Sequence, residues 1–265
     1  MNNFPNRSLA SAAGETIEFV RAGSGPDTVV LVNGAGGPIE GWQRVFAPVA
    51  DFATVIAYNR PGIGRSAPPC RPQTGLHMVA TLRAVLQAAG LPPPYVLVGH
   101  SLGGLLVNLF ARLHPSEVSA AVLLDATAPQ DVAVLAQHEN ALQRGLRAVL
   151  DRCSPPDANA EVRHVAASVA QLSAAPPFPG IPLTVVTGGK PAMAWATPAA
   201  ARAARAAHQR ELAALSPLGR QVVAVRSGHF PQFSEPALVV DAIRDATVAA
   251  AARRAQDREG MAETP

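Results

Sequence analysis

The sequence predicts an α/β fold in which a mostly parallel β-sheet is covered by helices on both faces. Short apolar runs rich in Val and Leu, such as residues 28–33 and 118–124, are bounded by turn residues. Runs of this kind are typical of strands that are buried on both faces. Segments with apolar residues at helical spacing, such as residues 74–89 and 102–113, alternate with these runs. This alternation predicts parallel strands joined by helical crossovers.

The predicted elements follow one another in a regular order along most of the chain. Strands are predicted over residues 16–22, 28–33, 54–58, 95–98, 118–124, 183–187 and 221–226. Helices are predicted over residues 40–49, 74–89, 102–113, 198–215 and 236–251. Thr74 is suited to cap the N-terminus of the second of these helices, and Gly90 is suited to end it.

The alternation is interrupted after Asp125. Residues 127–180 contain two Ala-rich helical patterns, over about 131–150 and 159–172, and end in a Pro-rich segment. Such an insert is expected either to move as a lid or to pack rigidly on the core. The predicted organisation is a core of residues 1–126 and 181–251, an inserted helical cap of residues 127–180, and a polar C-terminal tail of residues 252–265.

Composition excludes several classes of protein. Hydrophobic residues make up 48% of the 265 residues and charged residues 15%, which is enough apolar material for a large core and excludes a disordered chain. The 25 Pro and 21 Gly residues have no repeating period, which excludes collagen. Aromatic residues are only 5% and the arginines are scattered, so a nucleic-acid partner is not predicted despite the net charge of +3. Lys190 is the only lysine, a bias that suggests a GC-rich bacterial genome.

Cysteine content and apolar runs indicate the compartment. Cys70 and Cys153 are too few for a disulfide framework or a four-ligand zinc site, and a single bridge between them remains an open alternative. Residues 1–13 lack the apolar stretch of a secretory signal. No segment reaches the roughly 18 uninterrupted apolar residues that cross a bilayer. The expected location is therefore the cytoplasm, without a membrane span.

The strongest chemical signal is a serine in a tight turn. Residues 99–103, Gly-His-Ser-Leu-Gly, fit the pattern G-x-S-x-G and lie between a predicted strand and a predicted helix. The two glycines remove side chains that would collide across so sharp a turn, and the hydroxyl of Ser101 is thereby presented at the carboxyl edge of the sheet. This context predicts a nucleophile, and the alternative is a Gly-rich turn with an incidental serine.

A serine hydroxyl needs a base to lose its proton at neutral pH. His229 follows the last predicted strand and is expected at the same sheet edge as Ser101. Asp125 follows the predicted strand that comes next after the one leading to Ser101, and its carboxylate there is predicted to orient the imidazole. The alternatives are Asp131 or Glu211 as the acid, with Asp125 only capping a turn.

A second Gly-rich turn suggests an oxyanion hole. Residues 33–37, Asn-Gly-Ala-Gly-Gly, follow a predicted strand, and backbone N–H groups there can face a developing negative charge. We predict the N–H groups of Ala35 and Leu102 as the pair. The alternatives are a plain structural turn or a dinucleotide loop, although the spacing G-x-G-x-x-G is not matched.

Together these stretches resemble the α/β-hydrolase superfamily, from about residue 16 to residue 251. The landmarks are residues 23–25, 33–37, 58–66, 99–104 and 227–229. The resemblance implies an eight-stranded, mostly parallel sheet flanked by helices, with a small helical cap inserted after the sixth strand.

Three positions depart from the family pattern. Members usually have His-Gly where this chain has Asn33-Gly34, and Asp where it has Asn59. Most members carry the acid after the seventh strand, but residues 187–195 contain no carboxylate. Some members place the acid after the sixth strand instead, where Asp125 stands.

The resemblance implies a serine hydrolase that cleaves a small or medium carboxylic ester through an acyl-enzyme on Ser101. The substrate is a small molecule, and the chemistry requires no metal or organic cofactor. The alternatives are amide or carbon–carbon bond hydrolysis by the same triad, biosynthetic acyl transfer, or a catalytically weak ligand-binding member. Candidate side chains for an apolar pocket, each equally suited to the core, are Trp42, His138, Phe178, Met193, Trp195 and Phe230.

Overall fold

The computed structural model describes residues 4–132, 159–190 and 199–262. Within these residues, eight strands form one sheet in the order β1-β2-β4-β3-β5-β6-β7-β8. Its strands are β1 Ser8–Ala12, β2 Glu15–Ala22, β3 Thr28–Val32, β4 Thr54–Tyr58, β5 Tyr95–His100, β6 Val118–Leu124, β7 Leu183–Gly188 and β8 Gly219–Ala224. Strands β3 to β8 run parallel, whereas β2 is antiparallel to both β1 and β4. The predicted α/β fold with an eight-stranded, mostly parallel sheet is confirmed.

Helices cover both faces of this sheet. The described α-helices are α1 Phe46–Ala50, α2 Gly75–Ala88, α3 Leu102–Leu113, α4 Val165–Ala174, α5 Ala199–Ala213, α6 Pro231–Ser234 and α7 Pro236–Ala262. Alternate residues of one strand enter opposite apolar layers, as the pleat requires. Val30 and Val32 pack with side chains of α2 and α3, whereas Val29 and Leu31 pack with side chains of α1 and α7.

The first predicted helix and the first strand of the sheet differ from the sequence prediction for identifiable reasons. The helix predicted over 40–49 is instead a 3-10 helix Ile39–Trp42 followed by α1. In a continuous helix the ring of Pro48 would clash with the preceding turn, but in α1 it lies in the first turn, where proline is tolerated. Strand β1 is absent from the strands predicted residue by residue, because its sequence Ser-Leu-Ala-Ser-Ala carries one large apolar side chain.

The last helix is longer than predicted. Helix α7 continues to Ala262, so the predicted polar tail of residues 252–265 is helical as far as that residue. Ala, Arg and Gln, which dominate this segment, are strong helix formers. Arg254 anchors it through Nη2, which lies 2.5 Å from Oδ1 of Asp27.

The described end of the inserted segment packs on the core. The helix predicted over 159–172 is a 3-10 helix Glu161–Arg163 followed by α4, which contacts α2 and α3. Most of the helix predicted over 131–150 lies outside the described residues, and the cap therefore stays a prediction. None of the described helices is long and apolar enough to cross a membrane. Cys70 is exposed and unbridged, and Cys153 lies outside the described residues.

Candidate active site

The Ser101 turn is held by glycines on both sides. Ser101 joins β5 to α3 with φ 51° and ψ −119°, a conformation that costs a non-glycine residue about 1–3 kcal/mol. A Cβ added at Gly103 would lie 2.2 Å from the carbonyl oxygen of Val32, and one added at Gly99 would lie 2.4 Å from that of Gly103. Only glycine allows α3 to begin this close to the end of β3. The turn therefore projects the Ser101 side chain from the carboxyl edge of the sheet.

The His229 loop reaches Ser101 by crossing the end of β7. His229 Nε2 lies 3.1 Å from Ser101 Oγ, although β7 separates β8 from β6. A Cβ at Gly188 would lie 2.2 Å from the carbonyl oxygen of Gly228, so the crossing requires glycine at the end of β7. The amide of Lys190 donates to the Ser227 carbonyl at 2.8 Å and ties the loop to this end.

Asp125 lies behind the imidazole. Its Oδ2 is 2.7 Å from His229 Nδ1, and its Oδ1 accepts the Gly188 amide at 3.0 Å. Because an ionised carboxylate only accepts hydrogen bonds, Nδ1 carries the imidazole proton. Nε2 is then free to accept the hydroxyl proton of Ser101. The structure thus brings Ser101, His229 and Asp125 into one hydrogen-bonded series, as the sequence predicts.

The surroundings of Asp125 keep it ionised. Burial by itself would raise the pKa of this carboxyl, whose side chain is 4% exposed. The hydrogen bond with His229, the charge of Arg205 and the Gly188 amide outweigh burial, and the net pKa is lowered. Arg205 Nη2 donates to Asp125 Oδ2 at 2.6 Å. Sequence reasoning missed Arg205, because the local pattern of α5 does not distinguish it from the neighbouring arginines.

The two alternative acids have other partners. Asp131 accepts the Ala128 amide at 3.0 Å and lies 2.7 Å from His208 Nδ1. Glu211 accepts from Gln130 at 3.0 Å. Among the described contacts, neither carboxylate reaches His229. The geometry therefore selects Asp125 as the acid that contacts the imidazole.

His100 also packs against His229 but does not contact the Ser101 hydroxyl among the described hydrogen bonds. Its Nε2 donates to the backbone carbonyl of His229 at 2.7 Å, and the two rings lie 4.8 Å apart. Burial lowers the pKa of His100 to about 4. His100 is therefore neutral at physiological pH and supports the His229 backbone.

The turn after β3 borders the Ser101 side chain. A Cβ added at Gly34 would lie 3.1 Å from Ser101 Cβ. Ala35 and Ser101 line the same cavity of about 450 Å³. Among the described residues no acceptor receives the Ala35 amide. Leu102 is the first residue of α3, where an N–H group has no partner within the helix. Both predicted oxyanion donors thus lie beside the serine.

The candidate pocket residues divide into three groups. Phe230 is 50% exposed and lines the Ser101 cavity together with Phe233. Trp42 and Phe178 are core residues, because they pack in the two apolar layers of the sheet. The remaining candidates, His138, Met193 and Trp195, lie outside the described residues.

A second cavity lies on the far side of His229. It has a volume of about 500 Å³ and its lining includes Lys190, Arg205 and Arg210. Ser101 is not among its described lining residues. The cavity of about 450 Å³ is therefore the one placed to receive a group that reacts with Ser101.

A buried ion pair beside the turn was also missed by sequence reasoning. Arg60 and Glu161 lie side by side with side-chain exposures of 2% and 9%. Arg60 belongs to the stretch 58–66 that carries the family resemblance, but its partner lies 101 residues further along the chain. No local signal connects the two. No cluster of three or more potential metal ligands occurs in the part of the chain that the structure describes.

Partial sequence matches connect the chain to hydrolases and to a protein of unassigned activity. It is 34% identical over 105 residues to the uncharacterized protein YqjL of Bacillus subtilis, covering 40% of this chain and 42% of YqjL. It is 32% identical over 132 residues to a putative carbamate hydrolase, RutD, of Variovorax paradoxus, covering 49% of this chain and 47% of RutD. The chain thus spans less than half the length of these relatives.

Solved structures match over nearly the full length. A putative lipase from Acinetobacter baumannii superposes with a TM-score of 0.72 at 18% identity, covering 94% of this chain and 92% of the lipase. A thermophilic esterase from Thermogutta terrifontis superposes with a TM-score of 0.66 at 21% identity, covering 93% and 99%. At these identities the likeness shows the fold. A sequence model described as the alpha/beta hydrolase family matches residues 29–242. The chain therefore belongs to the alpha/beta hydrolase family.

Proposed function

We propose that this protein is a serine hydrolase that cleaves a small or medium carboxylic ester through an acyl-enzyme on Ser101. The observation that carries the proposal is the hydrogen-bonded series from Ser101 Oγ through His229 to Asp125, with distances of 3.1 Å and 2.7 Å. A serine beside a base that is itself oriented by a third group is the arrangement that activates a hydroxyl.

The reaction proceeds in two halves. Ser101 Oγ attacks the ester carbonyl while His229 Nε2 takes the hydroxyl proton. The imidazolium, stabilised by the ionised Asp125, then gives this proton to the leaving alcohol. A water activated by His229 attacks the acyl-enzyme, and the carboxylic acid is released with Ser101 restored.

Charge on the carbonyl oxygen is stabilised by backbone donors. The N–H groups of Ala35 and Leu102 face the oxygen as it becomes negative, and Leu102 adds the positive end of α3. Neither donor requires a side chain. The proposed site is therefore compatible with Asn33-Gly34 in place of the more usual His-Gly.

Cavity size and the names of relatives favour an ester. A volume of about 450 Å³ suits a small or medium acyl group, and Phe230 gives it an aromatic wall. Similar structures include an esterase and an enol-lactonase. One partial relative is named as a 2-hydroxy-6-oxononadienedioate hydrolase, so carbon–carbon cleavage is the alternative to test.

The decisive variant is Ser101→Ala, which removes one hydroxyl and leaves the turn intact. We expect hydrolysis of p-nitrophenyl acetate and butyrate to fall by about 10⁶-fold in kcat, because removing a triad serine abolishes covalent catalysis. The matched control is Ser173→Ala, on the exposed surface of α4, which should retain wild-type kcat. Circular dichroism of both variants checks that the fold persists.

Covalent labelling with a fluorophosphonate separates the remaining outcomes. Ester turnover that survives in Ser101→Ala would refute the nucleophile. A wild-type protein that is neither labelled nor active would refute the hydrolase proposal. Labelling without ester turnover would direct the substrate panel to aminoacyl anilides and vinylogous diketones.

A further inference from the structure

The buried pair Arg60–Glu161 has an unusually complete set of contacts. Arg60 donates from Nη2 to Glu161 Oε1 at 2.9 Å and from Nε to Oε2, a two-point contact of guanidinium and carboxylate. Burial alone would raise the pKa of the Glu161 carboxyl, but the charge and hydrogen bonds of Arg60 hold that pKa below its usual value. Because desolvating two charges is costly, their placement calls for a reason beyond stability.

Both members of the pair also hold the backbone of the turn after β3. Arg60 Nη1 donates to the Asn33 carbonyl at 2.8 Å, and Nη2 donates to the Gly34 carbonyl at 2.5 Å. Glu161 Oε1 accepts the Gly36 amide at 2.6 Å. The pair thus forms hydrogen bonds with the turn both before and after Ala35.

These hydrogen bonds determine the direction of the Ala35 N–H through the geometry of the peptide bond. In a planar trans peptide the C=O of one residue and the N–H of the next point in opposite directions. The Gly34 carbonyl accepts from Arg60 Nη2 and, at 3.1 Å, from the Gly37 amide. Both donors lie on the same side of the peptide, so the Ala35 N–H points to the other side. Ala35 lines the cavity that contains Ser101, and among the described residues no acceptor receives its N–H.

Glu161 reaches the turn from the inserted segment. Its neighbour Asn159 ties that segment to the core: the Asn159 carbonyl accepts the Gln73 amide at 3.0 Å, and its Nδ2 donates to the Pro69 carbonyl at 3.1 Å. These contacts hold the backbone next to Glu161 against the core and so place its carboxylate at the turn.

We infer that Arg60 and Glu161 are positioning residues that set the direction of the Ala35 N–H and so complete the oxyanion hole. The inference rests on the proposed serine hydrolase function and adds a role for two side chains that do not touch the substrate. It connects Glu161, which follows β6 in the insert, to transition-state stabilisation rather than to substrate binding.

The principal test is Glu161→Gln, assayed with p-nitrophenyl butyrate. Deleting an oxyanion donor costs about 10²–10³-fold in kcat. The variant misdirects the donor without deleting it, so we expect a loss of about 10- to 100-fold in kcat with KM changed less than about 2-fold. A role limited to fold stability would lower the melting temperature and leave kcat unchanged in the folded protein.

A transition-state mimic provides the second readout. When an alkyl trifluoromethyl ketone binds, Ser101 Oγ adds to its carbonyl carbon, the hydroxyl proton passes to His229, and the carbonyl oxygen becomes an anion in the hole. In Glu161→Gln its inhibition constant should rise by the same factor as kcat/KM falls. Equal inhibition constants in wild type and variant would overturn the inference.

Two further variants control the test. Glu117→Gln disrupts a matched Arg–Glu pair on the surface, with Arg83, and should leave kcat and the inhibition constant unchanged. Arg60→Lys keeps the buried charge but loses the forked donor, and it should reproduce the kcat defect even where Glu161→Gln fails to fold. If the wild type is active and Arg60→Lys has an unchanged kcat, the inference is refuted while the proposed function stands. An inactive, unlabelled wild type refutes the proposed function together with it.

Discussion

Two arginine–carboxylate pairs lie on opposite sides of Ser101, and they differ in burial and in what they hold. Arg60 and Glu161, on the side of the turn after β3, have side-chain exposures of 2% and 9%. Arg205 and Asp125, on the imidazole side, have exposures of 38% and 4%. The first pair holds backbone groups of the turn after β3. The second shares its carboxylate with His229.

The difference follows from what each carboxylate must do. Glu161 holds a backbone amide and gains from being fixed in one geometry. Asp125 must respond when the imidazole becomes charged, and a guanidinium partly screened by solvent keeps it ionised without neutralising it. An arginine–carboxylate pair thus holds the backbone on one side of Ser101 and supports the charge of the imidazole on the other.

The imidazole side should show the larger catalytic effect. Asp125→Asn preserves shape but presents an amide that permits the wrong imidazole tautomer, and we expect kcat to fall about 10⁴-fold at neutral pH. The measurement is steady-state hydrolysis of p-nitrophenyl butyrate.

Asp131→Asn is the matched control, because Asp131 also contacts Arg205, with oxygen and nitrogen 3.7 Å apart. It should remain within several-fold of wild type. A greater loss in Asp131→Asn than in Asp125→Asn would reverse the assignment of the acid.

The turn side should show the larger effect on stability. Arg60→Gln leaves Glu161 charged and buried without its partner, so we expect the free energy of unfolding to fall by about 3–5 kcal/mol. Arg205→Gln removes a partly exposed partner from a carboxylate that keeps two other donors, and the loss should stay below about 1 kcal/mol. Urea denaturation of both variants at pH 7 measures the two losses of unfolding free energy. Equal losses would contradict the expected difference between the two pairs.

Much of the site was predictable because its signals are local in sequence. The turn around Ser101 combines glycines with a preceding strand and a following helix, and both Asp125 and His229 follow predicted strands. Parallel strands bring their carboxyl ends to one edge, so the order of the elements by itself implies that these side chains lie close together. The fold was predictable for the same reason, since each buried strand is a short apolar run.

What sequence reasoning missed depends on contacts between distant segments. Arg60 and Glu161 lie 101 residues apart, and Arg205 lies 80 residues from Asp125. The break between the 3-10 helix and α1 was missed because residues 40–49 otherwise show a helical pattern, and Pro48 was not taken as a sign of a new helix start. An arginine in an Ala-rich helix looks the same in sequence whether it faces solvent or a carboxylate.

His100 connects the two sides of Ser101. Its Nε2 donates to the His229 carbonyl at 2.7 Å, and its Nδ1 lies so near the turn that a Cβ added at Gly34 would be 2.9 Å from it. Burial lowers the pKa of His100 to about 4, below the 6.5 of an ordinary histidine. Between these two pH values the unfolded chain binds a proton that the folded chain does not. Stability is therefore lost as pH falls from 6.5 towards 4.

His100→Gln should reduce this loss on acidification, because glutamine keeps an amide donor for the His229 carbonyl but cannot take up a proton. One proton contributes a slope of about 1.4 kcal/mol per pH unit. The wild type should thus lose up to about 3 kcal/mol more than the variant between pH 6.5 and pH 4. Urea denaturation of both proteins across this range, at constant ionic strength, measures the two slopes. Parallel slopes would mean that His100 titrates normally and does not join the two sides as a neutral, buried group.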